Sequence, residues 1–204
     1  MQRVVLIPGA GGRGDFWDPV IIELRRLGAY DCRTIDWPGV GGNPPDPSVE
    51  SYDDLTAMVR RTIEEGEVPV ALVAQSAGGA VAADLALTHP NLVSHLGLVA
   101  TSVGIDVEAL GATDWRPTAA EPLAGRPEWV YERRPDRTEE LGGLSQPTLL
   151  VWAEHDTISP GAVGRHLHRH IPGSTLVTYD SDDHWIARLE AADVARHLHG
   201  LITA

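Results

Sequence analysis

Ala74-Gln75-Ser76-Ala77-Gly78 places a small residue two positions either side of a serine, between an apolar run and a segment of helical character. A serine on a sharp strand-to-helix turn is held in strained φ/ψ space with its Oγ lifted clear of the backbone, and bulk at the flanking positions would clash. The pentapeptide alone fits a plain turn as well as a nucleophile. A nucleophilic serine also needs a base to take its proton and an acid to hold the base's tautomer, arriving in the order serine, acid, histidine in loops after later strands. Both are present in that order. Thr148 to Ala153 is an apolar run followed by Glu154-His155-Asp156, and Thr175 to Tyr179 is followed by Asp180-Ser181-Asp182-Asp183-His184-Trp185. Ser76, Asp156 and His184 therefore form a candidate triad for attack on an acyl carbon, with Glu154 as the alternative acid and His155 as the alternative base. Asp182 and Asp183 beside His184 would favour the imidazolium. His166, His168, His170, His197 and His199 fall in polar helical patterns. The i, i+4 spacing of His166 and His170 suits a metal, but neither an H-E-x-x-H pattern nor a third ligand accompanies it, so no metal is expected.

These side chains have to be carried by strands and helices. Strands are predicted at Arg3 to Ile7, Cys32 to Asp36, Val68 to Ala74, Leu96 to Ala100, Thr148 to Ala153 and Thr175 to Tyr179, with helical patterns between most of them. Val68 to Ala74 is almost continuously apolar, as a strand covered on both faces should be, and Pro69 fits only at its start. The first helix should open with Asp18 as N-cap and Pro19 in the first turn, and close at Leu27-Gly28. Others are predicted from about Tyr52 to Glu65, from Ala77 until His89-Pro90, from Pro160 to Ile171 and from Ala187 to Ile202. The alternation implies an α/β fold: a doubly wound, mostly parallel sheet of about six strands with helices on both faces, in one domain spanning 1–204. Residues 103–135 break the rhythm with Gly104, Gly111, Pro117, Pro122, Gly125, Pro127 and Pro135. They read as a short lid over the carboxyl ends of the strands, where ligands bind in such sheets. Trp115, Trp129 and Tyr131 either line a pocket there or pin the loop down.

Gly9-Ala10-Gly11-Gly12-Arg13-Gly14 satisfies G-x-G-x-x-G after a strand, and Asp36 stands where a ribose-binding acid would. An NAD(P)-binding Rossmann protein is thus a competing reading. A dinucleotide site opens its helix within the glycine loop, whereas the capping signal here comes later, at Asp18-Pro19, and Asp15 and Asp18 bring negative charge where pyrophosphate would lie. The loop suits an oxyanion-binding backbone amide instead.

Composition excludes several classes. The net charge of -13 would repel nucleic acid and anionic membranes. All 16 basic residues are arginine, which removes Schiff-base and P-loop lysine chemistry. Cys32 is the only cysteine, so neither an internal disulfide nor a cysteine metal cage is possible, and it reads as a buried strand residue. With no signal-like or membrane-spanning run, the expected location is cytoplasmic.

The chain resembles the α/β-hydrolase superfamily over nearly its whole length. Leu6-Ile7-Pro8-Gly9 with Trp17 and Leu24, then Ile35-Asp36-Trp37-Pro38-Gly39-Val40-Gly41, is similar to the family's H-G...W...D-x-P-G-x-G opening. Gln75 to Gly79 resembles its nucleophile elbow, Pro147 to Asp156 its P-T-L-x-x-x-G-x-x-D segment, and His184-Trp185 its G-H-W ending. The resemblance implies Ser76 as nucleophile, His184 as base, Asp156 as acid and the amides of Ala10 and Ala77 as oxyanion hole. It implies no cofactor, and an absent N-terminal hairpin that would leave Cys32 to Asp36 as an exposed edge. Serine at the elbow separates the chain from the aspartate-using epoxide hydrolases and haloalkane dehalogenases. The sequence departs from the pattern at Pro8, Ala74, Ala153 and Asp183, and Asp183 in place of glycine implies a repositioned or charge-tuned histidine. The expected activity is cleavage of a small-molecule carboxylic ester or thioester through an acyl-enzyme, by a monomer or weak homodimer. Gln75, Trp115, Trp129 and Trp185 are candidate substrate-binding residues. A non-catalytic receptor or scaffold on the same fold is the alternative.

Overall fold

A computed structural model describes residues 1–119, 126–134 and 136–204. The described residues form one six-stranded sheet: β1 (Gln2–Ile7), β2 (Tyr30–Thr34), β3 (Val70–Gln75), β4 (Val93–Val99), β5 (Thr148–Ala153) and β6 (Thr175–Tyr179). Their order is β2-β1-β3-β4-β5-β6 and every neighbouring pair is parallel, so the sheet expected to be mostly parallel is wholly so. Four strands differ from the predicted limits, β1 only by starting one residue earlier, at Gln2. Pairing of β3 starts at Val70, because Pro69 has no N–H to give a ladder. Strand β4 starts at Val93, which pairs with Val70 before the register shifts at Ala71. The edge strand β2 runs Tyr30–Thr34 and pairs only with β1, while Ile35 still donates its N–H to Leu6 O at 3.0 Å.

Helices α1 (Asp18–Leu27), α2 (Tyr52–Glu64), α3 (Gly78–Thr88), α4 (Arg116–Ala119), α5 (Gly161–His170), α6 (Ile186–Leu189) and α7 (Ala191–Thr203) connect the strands. Asp18 is not the N-cap of α1. A 3₁₀ turn over Gly14–Trp17 runs straight into the helix, Trp17 takes the cap position, and Asp18 lies in the first turn, where a carboxylate still favours the helix dipole. At α2, Ser51 accepts the Asp54 N–H at 3.1 Å, a side-chain cap. The single C-terminal helix expected from Ala187 is two, α6 and α7, broken at Glu190 (φ -106, ψ 35).

Both faces of the sheet are covered. Val70, Leu72 and Ala74 of β3 join one apolar cluster with residues of α2, α3 and α5, while Ala71 and Val73 join the other, with α1 and α7. The period of two thus sends alternate residues into two cores, which is why the strand sequence shows no polar alternation. Helix α7 presses so closely on β4 that a Cβ at Gly97 would lie 2.9 Å from Leu198 Cδ2.

The connections reverse direction at β1 and β3: from β1 the chain first adds β2 on one side, then returns to place β3 on the other. A crevice is expected beyond the carboxyl ends of such neighbours. The loops that hold Ala10 and Ser76 leave the sheet there. Among the described residues of the predicted lid, Val103, Ile105, Trp129 and Val130 are buried in the main core, so the segment is anchored from beneath. Pro122, Gly125 and Pro135 lie outside the described residues. No described helix is long and apolar enough to cross a membrane.

Candidate active site

Ser76 follows β3 directly and takes φ 50, a left-handed conformation that a non-glycine residue occupies at a cost. The small residues around it are required by contact. A Cβ at Gly78 would lie 2.4 Å from Pro8 O, and one at Gly9 would lie 2.9 Å from Ser76 Cβ, so the loop after β1 runs tightly against the serine turn. Beside that turn His184, carried between β6 and α6, brings Nε2 to 3.0 Å from Ser76 Oγ. Its Nδ1 lies 2.6 Å from Asp156 Oδ2 in the loop after β5. Asp156 is 2% exposed, and its other oxygen accepts the Ile158 N–H at 2.8 Å. A buried carboxylate accepting from Nδ1–H leaves Nε2 free to accept from the serine hydroxyl, the tautomer a general base requires.

The alpha/beta hydrolase family profile matches residues 4–198 of the chain. The chain belongs to that family. Among curated relatives, this hydrolase is 25% identical to a pimeloyl-[acyl-carrier protein] methyl ester esterase of Neisseria meningitidis, over 90% of this chain and 87% of the relative. It is 26% identical to a putative carbamate hydrolase of Klebsiella pneumoniae, over 85% and 81% of the two chains. Among solved structures it superposes on a bromoperoxidase from Bacillus anthracis with a TM-score of 0.85 at 18% identity, over 100% of this chain and 92% of that one. An enol-lactonase from Burkholderia xenovorans gives 0.80 at 18% identity with the same coverage. At these identities the structural likeness concerns the fold.

The departures from the family pattern have local explanations. Ala74 and Ala153 are fully buried, and neither takes a positive φ that would call for glycine. The Asp183 carboxylate turns to accept the Trp185 N–H at 2.7 Å, an Asx-type turn that shapes the chain leaving the histidine. His155 pairs instead with the exposed Asp180 at 3.1 Å, and Glu154 with Arg165 at 2.7 Å, so neither alternative partner is turned to Ser76.

The four expected substrate contacts take different places. Trp115 lines a cavity of about 350 Å³ that opens on Ser76 and Ala77. Trp129 does not. It is 3% exposed and packs against Trp37 and Tyr52 with ring centroids 5.7 and 5.4 Å away, pinning the loop from within the core. Gln75 is buried behind the serine turn, its Nε2 reaching His184 O at 3.4 Å, so it braces the His184 backbone. Trp185 is 61% exposed beside His184 and is not part of the cavity wall.

The remaining wall consists of residues that carry no sequence signature. Tyr52 faces the cavity from α2, and burial pushes its hydroxyl up to about 12, so it stays a donor, to Val130 O at 3.3 Å. Arg116 pairs with Asp114 at 3.0 Å, and Arg133 bridges Asp114 and Glu108. Arg126 donates to Ala10 O, steadying the loop after β1. Among the described residues neither the Ala10 nor the Ala77 amide donates to a protein acceptor.

The glycine loop is not built for a dinucleotide. Helix α1 begins four residues beyond Gly14, and Asp36 Oδ1 accepts the Gly14 N–H at 2.8 Å within the turn. No described group of three or more His, Cys, Asp or Glu converges as a metal would need, and the rings of His166 and His170 stack 4.3 Å apart.

Proposed function

We propose that this hydrolase cleaves a carboxylic ester or thioester of a small molecule through an acyl-enzyme on Ser76. The observation that carries the proposal is the continuous chain from Ser76 Oγ through His184 to the buried Asp156, at 3.0 and 2.6 Å. Ser76 Oγ attacks the acyl carbon as His184 Nε2 takes its proton, and the oxyanion of the tetrahedral intermediate is met by the amides of Ala77 and Ala10. His184 then returns the proton to the leaving alcohol or thiol. A water deprotonated by the same histidine releases the acid, with Asp156 stabilising the imidazolium in both halves. The names of the relatives, an esterase and a putative carbamate hydrolase, support acyl-carbon chemistry.

The walls of the cavity argue for a short or polar acyl group. Ser102, Asp114, Arg116 and Arg133 face it alongside Trp115, and an extended alkyl chain would desolvate those charges without replacing their hydrogen bonds. On nitrophenyl esters of graded length, kcat/KM should therefore peak at short acyl chains. A fluorophosphonate probe tests the mechanism: the wild type should label once per chain, and Ser76→Ala should abolish both labelling and at least about a thousandfold of the turnover. A wild type left unlabelled would instead favour a ligand receptor on this fold.

A further inference from the structure

We propose that Thr101 is a positioning residue that holds the Ser76 turn in its reactive conformation; the proposal rests on Ser76 being the nucleophile. Thr101 is 1% exposed in the loop after β4, and its Oγ1 lies 2.6 Å from Ser76 O. The same oxygen accepts the Val103 N–H at 3.2 Å. A hydroxyl has one proton, and with an incoming donor at Val103 that proton is committed to the Ser76 carbonyl. Gly79 N–H also reaches Ser76 O, at 3.0 Å, and Ser76 N–H donates to Val99 O at 3.0 Å. Both polar groups of the nucleophile's peptide backbone are thus held, one of these three bonds coming from the end of β4 and one from the loop after it that contains Thr101.

That loop is itself strained where the hydroxyl is delivered. Ala100 and Val103 take φ 44 each, and Gly104 takes φ 85. A β-branched residue at positive φ is an outlier that persists only when its surroundings over-determine it. Here the strain serves to bring Oγ1 between Val103 N and Ser76 O. The fit is close enough to exclude any side chain at Gly79, whose Cβ would fall 1.9 Å from Thr101 Oγ1. On its far side, Thr101 O accepts from Ser159 Oγ at 3.4 Å, and Ser159 Oγ accepts from Trp152 Nε1 at 3.1 Å. Ser159 follows Asp156 and Ile158 in the loop after β5, so Thr101 ties the nucleophile's turn to the acid's loop. Two strained turns lean on one another through this hydroxyl, and neither relaxes while it is in place.

The test compares Thr101→Val, Thr101→Ala and Thr101→Ser with the wild type. Three quantities are read: the rate of fluorophosphonate labelling, its final stoichiometry, and kcat and KM on nitrophenyl acetate. The valine and alanine variants should reach one label per chain about a hundredfold more slowly, with kcat falling while KM stays within about threefold, and the serine variant should recover to within about threefold. A merely structural role would lower the final stoichiometry or the melting temperature but leave the rate per labelled site unchanged, and that result overturns the proposal. So does an alanine variant that labels at the wild-type rate. Where the valine variant fails to fold, the alanine and serine variants decide the matter. A wild type that never labels removes the nucleophile and this role together, whereas a labelled wild type with unaffected variants removes only the role of Thr101.

Discussion

Behind Ser76 the turn is packed by backbone and small residues: Gly9 lies against Ser76 Cβ, Gly78 against Pro8 and Gly79 against Thr101, and hydrogen bonds run from the turn to Val99 and Thr101. Across the cavity, Asp114, Arg116, Arg133 and Glu108 form ion pairs on long side chains, Arg133 being 59% exposed. The first region holds its geometry because nothing in it can rotate away. The second can be exchanged residue by residue at little cost to the fold. Binding and catalytic groups carried on loops above a rigid scaffold are how one fold serves many functions, and these two regions differ in that way.

The largest expected effect falls beside the first region, on the Asp156–His184 pair that meets Ser76. Asp156→Asn should keep the hydrogen-bonding shape but hold the wrong tautomer of His184, lowering kcat by about 10³–10⁴ with little change in KM. Steady-state kinetics on a short nitrophenyl ester measures it, and an effect under about tenfold would mean that the carboxylate is only a structural acceptor.

Next comes Gly79→Ala, whose added methyl group has no room beside Thr101. Urea denaturation should give a loss of about 1–3 kcal/mol, the usual cost of overpacking. Wild-type stability there would show that the serine turn yields, and the contrast between the regions would fail.

In the second region, Arg133→Ala removes contacts to both Glu108 and Asp114, yet should leave the urea midpoint nearly unchanged because the pairs are solvated. Its effect belongs in KM, read across neutral and charged short esters. A loss of stability as large as that of Gly79→Ala would place this wall in the scaffold.

The smallest effect is one of pH. Burial opposes ionisation of Asp114, but the Arg116 amide and guanidinium, with Arg133, outweigh it and hold the carboxyl below its ordinary range. The unfolded chain therefore takes up that proton first as pH falls. The stabilisation is complete above an unfolded value of about 3.9 and is lost as pH drops through the lower folded one. Between pH 5 and 3, Asp114→Asn should flatten the fall of the urea midpoint slightly, and an unchanged slope would mean that the pair is not formed in solution.

Much of the scaffold was legible because strands buried on both faces are written as short apolar runs, and β5 and β6 match their predicted limits at both ends. Boundaries slipped where a pairing partner decides them, as at Val93 opposite Val70, and at Glu190, where no glycine or proline marks the helix break. The two tryptophans of the β4–β5 segment were indistinguishable in sequence. Trp115 reached the cavity wall and Trp129 the core, a choice made by which space the neighbouring rings of Trp37 and Tyr52 left to fill. Gln75 was misplaced for a related reason: its buried amide reaches the His184 carbonyl and does not line the cavity, a contact only the folded loops create.

By itself, the sequence determined the α/β alternation and the order in which Ser76, Asp156 and His184 follow their strands, because those depend on local periodicity and on residues adjacent along the chain. Tertiary structure alone decided the 2.6 and 3.0 Å contacts among the three, and that Thr101, 25 residues away, joins Gly79 at the serine's carbonyl. Such contacts depend on strand register and on loops meeting from β3, β4, β5 and β6. Register is settled by how two apolar cores close at once, a condition no stretch of the sequence carries on its own.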